Sequence, residues 1–190
     1  GEKGLSKCMN RRGNKYSYKA ETLKSHGPIF DIDHIQKYSS KIYAFLKVLE
    51  NTEGIVFIYT NFIASGITPL CLALEQNGYK RFRGGPMLQY PKKRPQIKIN
   101  TTHNASYMVI DGTTSKKDLE EQLKIVNSKG NINGEKIKII LGTVVASEGL
   151  DFKRIRSIHI LDPWVHLNRL EQTIGRGIRF CSHSDLPNKD

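Results

Sequence analysis

Short apolar runs that alternate with segments of helical periodicity are the feature that most limits the fold of this chain. Each run is continuous and rich in strand-forming residues, which is typical of a strand covered on both faces of a parallel sheet. Strand, loop and helix follow one another repeatedly, and this alternation predicts right-handed crossovers. The predicted fold class is therefore α/β, a parallel sheet flanked by helices, with strands at residues 55–59, 107–110, 137–141 and 157–161.

The helices are predicted from apolar spacing and from end signals. One helix is expected from His34 to the stop at Gly54, and a second is expected to be capped by Ser65. Ser115 is followed three residues later by Asp118, a variant of the capping box that predicts the start of a third helix. These helices supply the crossovers between the strands.

The charge balance indicates a phosphate-bearing partner. The 190 residues carry 30 Lys plus Arg against 18 Asp plus Glu, a formal net charge of +12. The hydrophobic fraction of 38% is that of a folded protein and excludes a disordered basic tail. No apolar run reaches the roughly 20 residues that a membrane span needs, so no membrane partner is expected.

The cysteines indicate neither a disulfide framework nor a zinc site. Cys8, Cys71 and Cys181 lie far apart in the sequence, and none belongs to a CxxC pair. Reduced thiols in an intracellular protein are expected, and no metal ligand is assigned to this chain.

One main domain is expected, preceded by a lead-in. Residues 1–33 lack clean periodicity and are basic, so they are predicted to be irregular or to form the edge of the domain. Residues 34–190 are predicted to form the domain itself, with a basic insertion around residues 80–99. Lys92, Lys93 and Arg94 of this insertion are candidate nucleic-acid contacts, with a solvated loop or a contact to a partner protein as the alternatives.

The loops after the predicted strands are the expected place for a ligand. In parallel α/β sheets, ligands collect at the carboxyl ends of the strands, where loops and helix N-termini present free N–H groups. Hydroxyl groups and glycine amides there suit successive phosphates of a nucleic-acid backbone, although the same residue types also simply make turns. The loops lie at residues 59–61, 111–114 and 143–151 and at the approach to Gln172.

Three of these stretches resemble motifs of superfamily 2 helicases, which have RecA-like domains. IVFIYTN at residues 55–61 resembles motif IV, and TVVASEGLD at residues 143–151 resembles motif V. QTIGRGIR at residues 172–179 matches the motif VI pattern Q-x-x-G-R-x-x-R. The wider sequence is similar to the helicase-type ATPases of large nucleocytoplasmic DNA viruses, the group of the poxvirus early transcription factor small subunit and nucleoside triphosphate phosphohydrolase I. An asfarvirus or a giant virus is the expected source.

The resemblance implies ATP with Mg²⁺ as the cofactor and a set of residues that face it. Arg179 would be the arginine finger and Arg176 a second ligand of the γ-phosphate, where charge must be neutralised during phosphoryl transfer. Gln172 would sense the γ-phosphate or the attacking water. Gly175 would keep the surface flat around the two arginines.

Motif V would couple the nucleotide to the nucleic acid. Gly149 and Asp151 match its coupling residues, whereas Glu148 either places a charge at a helix start or orients a motif VI arginine. The resemblance further implies that the phosphate backbone of DNA or RNA is hydrogen-bonded by Thr60, Asn61, Gly112, Thr113 and Thr143.

Two departures from the family pattern limit the expected activity. Position 173 is Thr, where DEAH-type members often carry Arg, and this favours the branch in which duplex translocation without strand separation is common. The sequence contains no GxxxxGK[ST] and no DExx box, so the P-loop lysine and the Mg²⁺-binding carboxylate are expected in an upstream RecA-like lobe of the same chain.

The chain is therefore expected to be the second lobe of a viral helicase or translocase, inactive alone. It would work with the viral transcription machinery in the host cytoplasm, and also in the virion. The alternative is a non-catalytic module that binds nucleic acid or a transcription complex on a helicase-like scaffold.

Overall fold

A computed structural model describes residues 2–89, 106–143 and 150–162, together with the single positions 171, 175 and 186. Two short turns of other helix types, a π-helix at Ile63–Ile67 and a 3₁₀-helix at Lys129–Asn131, accompany the regular elements. In chain order those elements are α1 (Glu2–Cys8), β1 (Met9–Arg12), β2 (Lys15–Tyr18), α2 (Ala20–His26), α3 (Ile32–Ile35), α4 (Ser40–Asn51), β3 (Ile55–Tyr59), α5 (Thr68–Gln76), β4 (Lys80–Arg81), β5 (Leu88–Gln89), β6 (Ser106–Ile110), α6 (Lys116–Val126), β7 (Ile139–Gly142) and β8 (Ile155–Ile160).

The main sheet has five strands in the order β4-β6-β7-β3-β8, and every neighbouring pair is parallel. Non-consecutive neighbours require crossovers, which α5 and α6 supply. This parallel sheet with flanking helices confirms the predicted RecA-like α/β fold.

Alternate residues of the central strand enter opposite layers of the core. Val56 and Ile58 of β3 pack in the layer that holds α4 and α5, and Ile55, Phe57 and Tyr59 pack in the layer that holds the end of α6. All five side chains are buried. The continuous apolar run of β3 therefore reflects a strand covered on both faces, as predicted.

The predicted capping box is confirmed at the start of α6. The Ser115 hydroxyl accepts a hydrogen bond from the Asp118 amide at 3.1 Å and donates one to the Asp118 carboxylate at 2.6 Å. One otherwise unpaired amide of the first helical turn is thereby satisfied.

The predicted helix from His34 to Gly54 is wrong in its first part. The chain forms the short α3 and then starts again, because the Ser39 hydroxyl caps α4 by accepting from the Ile42 amide at 3.3 Å. Ser65 likewise does not cap a helix, since it lies inside the π-helix that precedes α5. Local capping chemistry at Ser39 outweighed the apolar periodicity that runs across it.

Residues 2–33 are not irregular, which was the first of the two alternatives predicted for this segment, and the second alternative, the edge of the domain, stays a prediction. They form α1, α2 and a hairpin of β1 and β2, and β2 pairs in parallel with β5 to make a second, three-stranded sheet. Met9, Tyr16 and Tyr18 from the hairpin, and Ile29 and Phe30 after α2, join the same apolar cluster as α4 and α5.

Three consecutive buried polar residues at the end of α5 hold this N-terminal segment. Glu75 accepts from the amides of Met87 and Leu88 at 3.0 and 2.6 Å, beside β5. The Gln76 amide oxygen accepts from the Tyr18 hydroxyl at 3.1 Å. The third residue, Asn77, donates to the Phe30 carbonyl at 2.8 Å and accepts from the Ile32 amide at 3.0 Å. The N-terminal segment is thus held by hydrogen bonds to residues distant in sequence, which the local sequence pattern did not indicate.

The predicted basic insertion begins later than residue 80. Lys80 and Arg81 form β4, the edge strand of the main sheet, through parallel pairing with Ser106 and Tyr107 of β6. Residues 90–105, which include Lys92, Lys93 and Arg94, lie outside the described part of the chain. Within the described ranges, no helix is both long and apolar enough to cross a membrane.

Candidate nucleic-acid interface

The carboxyl ends of four strands lie in one row. Tyr59 of β3 is opposite Gly142 of β7 and Ile160 of β8, and Gly142 is opposite Ile110 of β6. The ladder continues one residue further, since the Thr143 amide donates to the Ile110 carbonyl at 3.1 Å. The loops that follow these strands therefore leave the sheet side by side, at the edge where parallel α/β folds bind their ligands.

The loop after β6 presents an open backbone to the solvent. The amide and the hydroxyl of Thr113 both donate to the Asp111 carboxylate, at 2.9 and 2.6 Å, and the Thr114 amide donates to the Asp111 carbonyl at 3.1 Å. Gly112 is exposed, and a Cβ built on it has no heavy atom within 4 Å. A phosphate can therefore approach the Gly112 backbone closely, whereas the Thr113 amide and hydroxyl are occupied by the Asp111 carboxylate. The predicted phosphate contacts of both residues stay predictions.

Thr60 is placed differently from its prediction. It is fully buried, its hydroxyl donates to the Asp162 carboxylate at 2.5 Å, and the same oxygen accepts from the Phe62 amide at 3.3 Å. Gly66 packs so closely over this side chain that a Cβ there would collide with the Thr60 hydroxyl. In this arrangement the hydroxyl is not available to a phosphate, and Thr60 instead joins the loops after β3 and β8.

Asn61 is half-buried and belongs to the same junction. Its side-chain oxygen accepts from the Tyr59 hydroxyl at 2.8 Å, and its side-chain nitrogen donates to the Asp162 carbonyl at 3.3 Å. Phe62 and Ile63 follow it and are large apolar residues with 55% and 49% of their surface exposed. An exposed apolar pair beside polar loops suits a contact with a base or with a second lobe.

The end of β8 is contacted by one lysine, and the histidine of that strand carries no charge. The Lys41 ammonium lies 2.9 Å from the Leu161 carbonyl oxygen and 3.7 Å from the Asp162 carboxylate. His159 of β8 makes an edge-to-face contact with the Phe45 ring of α4, with ring centroids 5.5 Å apart and an interplanar angle of 70°. Burial lowers the pKa of His159, so its ring is neutral at pH 7 and adds no charge beneath the edge.

The exit of motif V is fixed on the end of α6. The Asn127 side chain donates to the Asp151 carbonyl and accepts from the Lys153 amide, both at 2.8 Å. Between these two contacts, Phe152 is buried and packs against Phe57 with ring centroids 5.4 Å apart. The Asp151 side chain remains exposed. These contacts hold the backbone on both sides of Phe152 against the end of α6. The predicted coupling role of Asp151 stays a prediction.

Arg154 completes this attachment. It is buried and is the sole non-glycine residue with a positive φ in the described ranges, at 62°. Its guanidinium Nη1 donates to the carbonyls of Asn127 and Ser128 at 3.0 and 3.4 Å, which satisfies backbone oxygens at the C-terminus of α6. The left-handed backbone costs free energy that these contacts offset.

The predicted nucleotide-facing residues are only partly described. Asp151 and Gly175 are both exposed, and a Cβ built on Gly175 has no heavy atom within 4 Å. Thr143 is buried beside the end of β6. No group of three or more His, Cys, Asp or Glu side chains that could hold a metal occurs in the described ranges. The predicted site residues that lie outside them are Glu148, Gly149, Gln172, Arg176 and Arg179.

Sequence reasoning missed the residues that hold the edge together. Asp162 is the acceptor for Thr60, and Asn127 is the two-way link to motif V. The Asp-Pro pair at residues 162–163 was visible after a predicted strand, but nothing local indicated its partner. Asn127 is a residue type common at the end of a helix, but nothing in the sequence around it indicated its hydrogen bond to Asp151.

The chain belongs to the family described as the helicase conserved C-terminal domain. The family model matches residues 79–181, more than half of the chain, and this range includes the loops after β6, β7 and β8. The resemblance that motifs IV, V and VI indicated is therefore confirmed at the level of the family.

Viral and plasmid helicases are among its relatives. A protein of Acanthamoeba polyphaga mimivirus that carries the name of an ATP-dependent RNA helicase is 32% identical over 169 residues, which cover 86% of this chain and 27% of the relative. The killer plasmid pGKL-2 helicase of Kluyveromyces lactis is 34% identical over 155 residues, 82% of this chain and 23% of the relative. The termination factor NPH-I homolog of African swine fever virus is 30% identical over 169 residues, 78% of this chain and 24% of the relative.

The two viral relatives confirm the predicted group of helicases from large DNA viruses. The chain spans about a quarter of the length of each of the three. The similarity therefore concerns one domain of each relative.

Proposed function

We propose that this chain is the carboxyl-side RecA-like lobe of a viral ATP-dependent helicase or translocase. The observation that carries the proposal is the row of strand ends at one edge of the sheet, with an open backbone at Gly112 in the loop that follows β6. An edge of this kind is where the fold binds phosphate-bearing ligands. Membership of the helicase C-terminal family supplies the class of reaction.

This lobe would grip the nucleic-acid backbone through the loops after β6, β7 and β3. Gly112 and Thr113 are exposed in the loop after β6, and Asn61 is half-buried in the loop after β3 at the same edge. The Gly112 backbone is open, whereas Thr113 would have to release Asp111 to bind a phosphate. Backbone amides and hydroxyls bind phosphates without reading bases, so the grip would be independent of sequence. The Thr143 side chain is buried, so it would pack beneath the loops at this edge. Thr143 would reach a phosphate only through its backbone or after a small rearrangement.

ATP would lie between this lobe and an upstream RecA-like lobe that supplies the P-loop and the Mg²⁺ ligands. When bound, ATP supplies the phosphoryl group whose transfer to water drives movement. Arg179 and Arg176 would neutralise charge on the γ-phosphate, Gln172 would orient the water, and Gly149 and Glu148 would adjoin them. Support comes from the two described members of the nucleotide-facing set, Asp151 and Gly175, because both are exposed as a ligand between two lobes requires.

The biological setting we propose is viral transcription within the infected cell. One relative is named as a termination factor homolog, and the family resemblance points to the same group. The lobe would then act in the host cytoplasm beside the viral transcription machinery, with the DNA or RNA backbone as its ligand.

The test is nucleic-acid-stimulated ATP hydrolysis by the full-length protein to which this chain belongs. Arg179→Ala should lower kcat by about 10³-fold or more, because an arginine finger acts chiefly in the transition state. Nucleic-acid affinity should change little. Arg12→Ala is the matched control, since Arg12 is an exposed arginine of the N-terminal hairpin and should leave kcat unchanged.

Two results would contradict the proposal. Equal turnover of Arg179→Ala and Arg12→Ala would mean that motif VI contributes no charge to the reaction. Nucleic-acid binding without any ATP hydrolysis by the full-length protein would instead favour a non-catalytic binding module on the same fold.

A further inference from the structure

Two successive glycines, Gly84 and Gly85, follow the edge strand β4 at a bend in the chain. We refer to them as the glycine bend. Both are exposed, and Gly84 has a φ of 91°, which residues with a Cβ rarely adopt. Their two backbone N–H groups donate to no other residue in the described ranges. Free amides at an exposed bend suit an anion.

Two cationic side chains lie beside the glycine bend. A Cβ built on Gly85 would be 3.1 Å from the Lys15 ammonium nitrogen, and one built on Gly84 would be 3.8 Å from the Arg81 Nε. The missing side chains of the two glycines leave room for these cations. Lys15 belongs to β2 and Arg81 belongs to β4, so positive charge from both sheets converges on one loop.

The small sheet explains why Lys15 reaches the glycine bend. In the parallel pairing of β2 with β5, Tyr16 is opposite Leu88, and the Tyr16 amide donates to the Met87 carbonyl at 2.7 Å. Lys15 precedes Tyr16 by one residue, so it lies at the level of the loop that joins β4 to β5. Lys15 is half-buried, and packing of its stem limits the positions that its ammonium group can take.

The protein does not neutralise these two charges. Neither Lys15 nor Arg81 forms an ion pair or a side-chain hydrogen bond with any residue in the ranges that the structure describes. Arg83 differs, because its guanidinium lies 2.6 Å from the Glu121 carboxylate and 3.8 Å from the Asp118 carboxylate. Two unpaired cations beside free backbone amides have the chemistry of a phosphate site.

The glycine bend adjoins the loop after β6. Gly84 and Thr114 line one open cleft of about 380 Å³ at the carboxyl ends of β4 and β6. Gly112, whose backbone is open, belongs to the same loop as Thr114. A strand that is held at Gly112 by one phosphate therefore has a second phosphate site on the other side of this cleft.

We infer that Lys15, Arg81 and the amides of the glycine bend bind one phosphate of the nucleic-acid strand, beyond the phosphate proposed at Gly112. This inference rests on the proposed function, because it extends the backbone contact proposed above. Lys15 lies outside residues 79–181, which match the family model, so the small sheet adds a contact from beyond the matched range. The contact is electrostatic and independent of base sequence.

The test is the salt dependence of single-stranded oligonucleotide binding to the full-length protein, measured by fluorescence anisotropy. Each phosphate that a cation neutralises releases counterions, so log Kd rises with log salt by about 0.7 per contact on a single strand. Lys15→Gln should therefore raise the Kd about 3- to 10-fold at low salt and lower this slope by about 0.7. Its melting temperature should stay near that of wild type, because Lys15 has no acidic partner in the described ranges to lose.

Lys129→Gln is the matched control, with the same loss of charge from an exposed lysine. Lys129 follows α6, which returns the chain to the amino end of β7, so it lies at the opposite edge of the sheet from the glycine bend. It should leave the Kd and the salt slope unchanged.

Gly85→Asp is a second variant that acts on the same site from the other side. Gly85 has no positive φ, so the substitution is tolerated, and the new carboxylate lies beside the flexible Lys15 ammonium group. Gly85→Asp should weaken binding at least as much as Lys15→Gln does. Adding Lys15→Gln to Gly85→Asp should then cause little further loss, since both changes remove one contact.

Three results would overturn the inference. The first is an equal Kd and salt slope for wild type and Lys15→Gln. The second is the same loss in Lys129→Gln, because net charge alone would then explain the effect. The third is weaker binding of inorganic phosphate by Lys15→Gln with oligonucleotide binding unchanged, which would assign the glycine bend to a free anion.

Failure of this inference is distinguishable from failure of the proposed function. Strand-stimulated ATP hydrolysis and tight binding by wild type, with Lys15→Gln unchanged, would remove only the glycine bend from the nucleic-acid interface. Absence of nucleic-acid binding by wild type would remove both.

Discussion

Gly66 and Gly112 show how two glycines beside one sheet edge have different physical roles. Gly66 lies against the Thr60 side chain, which leaves no room for a methyl group, whereas Gly112 faces open space. Neither residue has a positive φ, so the difference between them is one of packing. The close approach at Gly66 keeps the Thr60 hydroxyl on Asp162.

Gly66→Ala should lower the free energy of unfolding by about 1–3 kcal/mol, because the added methyl group must displace Thr60 in a packed region. Urea denaturation of the two variants measures the difference. Gly112→Ala is the control and should stay within about 0.5 kcal/mol of wild type, since nothing opposes its methyl group. Equal stability of the two variants would show that Thr60 is not held as described.

At the scale of elements, the polar end of α5 is hydrogen-bonded to β2, to the start of α3 and to β5. Glu75 is 4% exposed and accepts from two amides beside β5 and from the Tyr107 hydroxyl at 2.6 Å. Burial, with the neighbouring thiol and carboxylate, raises the pKa of Tyr107, so its hydroxyl remains a donor to Glu75. One carboxylate therefore connects the small sheet, α5 and the main sheet.

Glu75→Gln should destabilise the link between the two sheets, because an amide group replaces one acceptor oxygen with a donor that faces a backbone N–H. The expected cost is about 1–3 kcal/mol, as for hydrogen bonds to charged groups. Hydrogen exchange should accelerate most at the amides of Met87 and Leu88 and least at Val56 in the centre of the main sheet.

Glu50→Gln is the control for this change. Glu50 is an exposed helical residue that pairs with Lys47 at 3.2 Å, with about half of each side chain in solvent, so its removal should cost no more than about 0.5 kcal/mol. Unaltered exchange at Met87 and Leu88 in Glu75→Gln would mean that the apolar cluster alone holds β5 in place.

At the scale of the whole molecule, the core has two layers separated by the main sheet. Cys71 of α5 lies fully buried in one of them, and burial is the main reason that its pKa is raised to about 12. The thiolate is the reactive form of cysteine, and the native packing thus protects Cys71 twice, by exclusion of reagent and by suppression of ionisation. The rate at which a thiol reagent modifies Cys71 therefore measures how often the core layer around α5 unfolds.

Iodoacetamide at pH 8 should modify Cys8, which is only half-buried on α1, while Cys71 stays unmodified. Peptide mass spectrometry measures both sites in one sample. In rising urea, modification of Cys71 should follow the global unfolding transition. Modification of Cys71 at the rate of Cys8 without denaturant would contradict the described packing of α5 on the sheet.

Local patterns were enough to predict the central strands, the capping box at Ser115 and the order of the helicase motifs. A buried parallel strand needs a continuous apolar run, and a helix start needs an acceptor for its free amides. These requirements act between residues that are close in sequence. They therefore appear in the sequence itself, as do the spacings of motifs V and VI on which the family resemblance depends.

Only the tertiary structure decided which polar groups meet. Thr60 and Asp162 are 102 residues apart, and Asn77 and Phe30 are 47 apart, yet each pair is joined by a hydrogen bond. A single Thr or Asn fits a turn, a cap or a ligand site equally well, and the partner is fixed only when strands and helices pack. The sequence alone thus determined the fold class and family of this protein, whereas chain folding decided the place of residues 2–33 and the partners of Thr60 and Asn127.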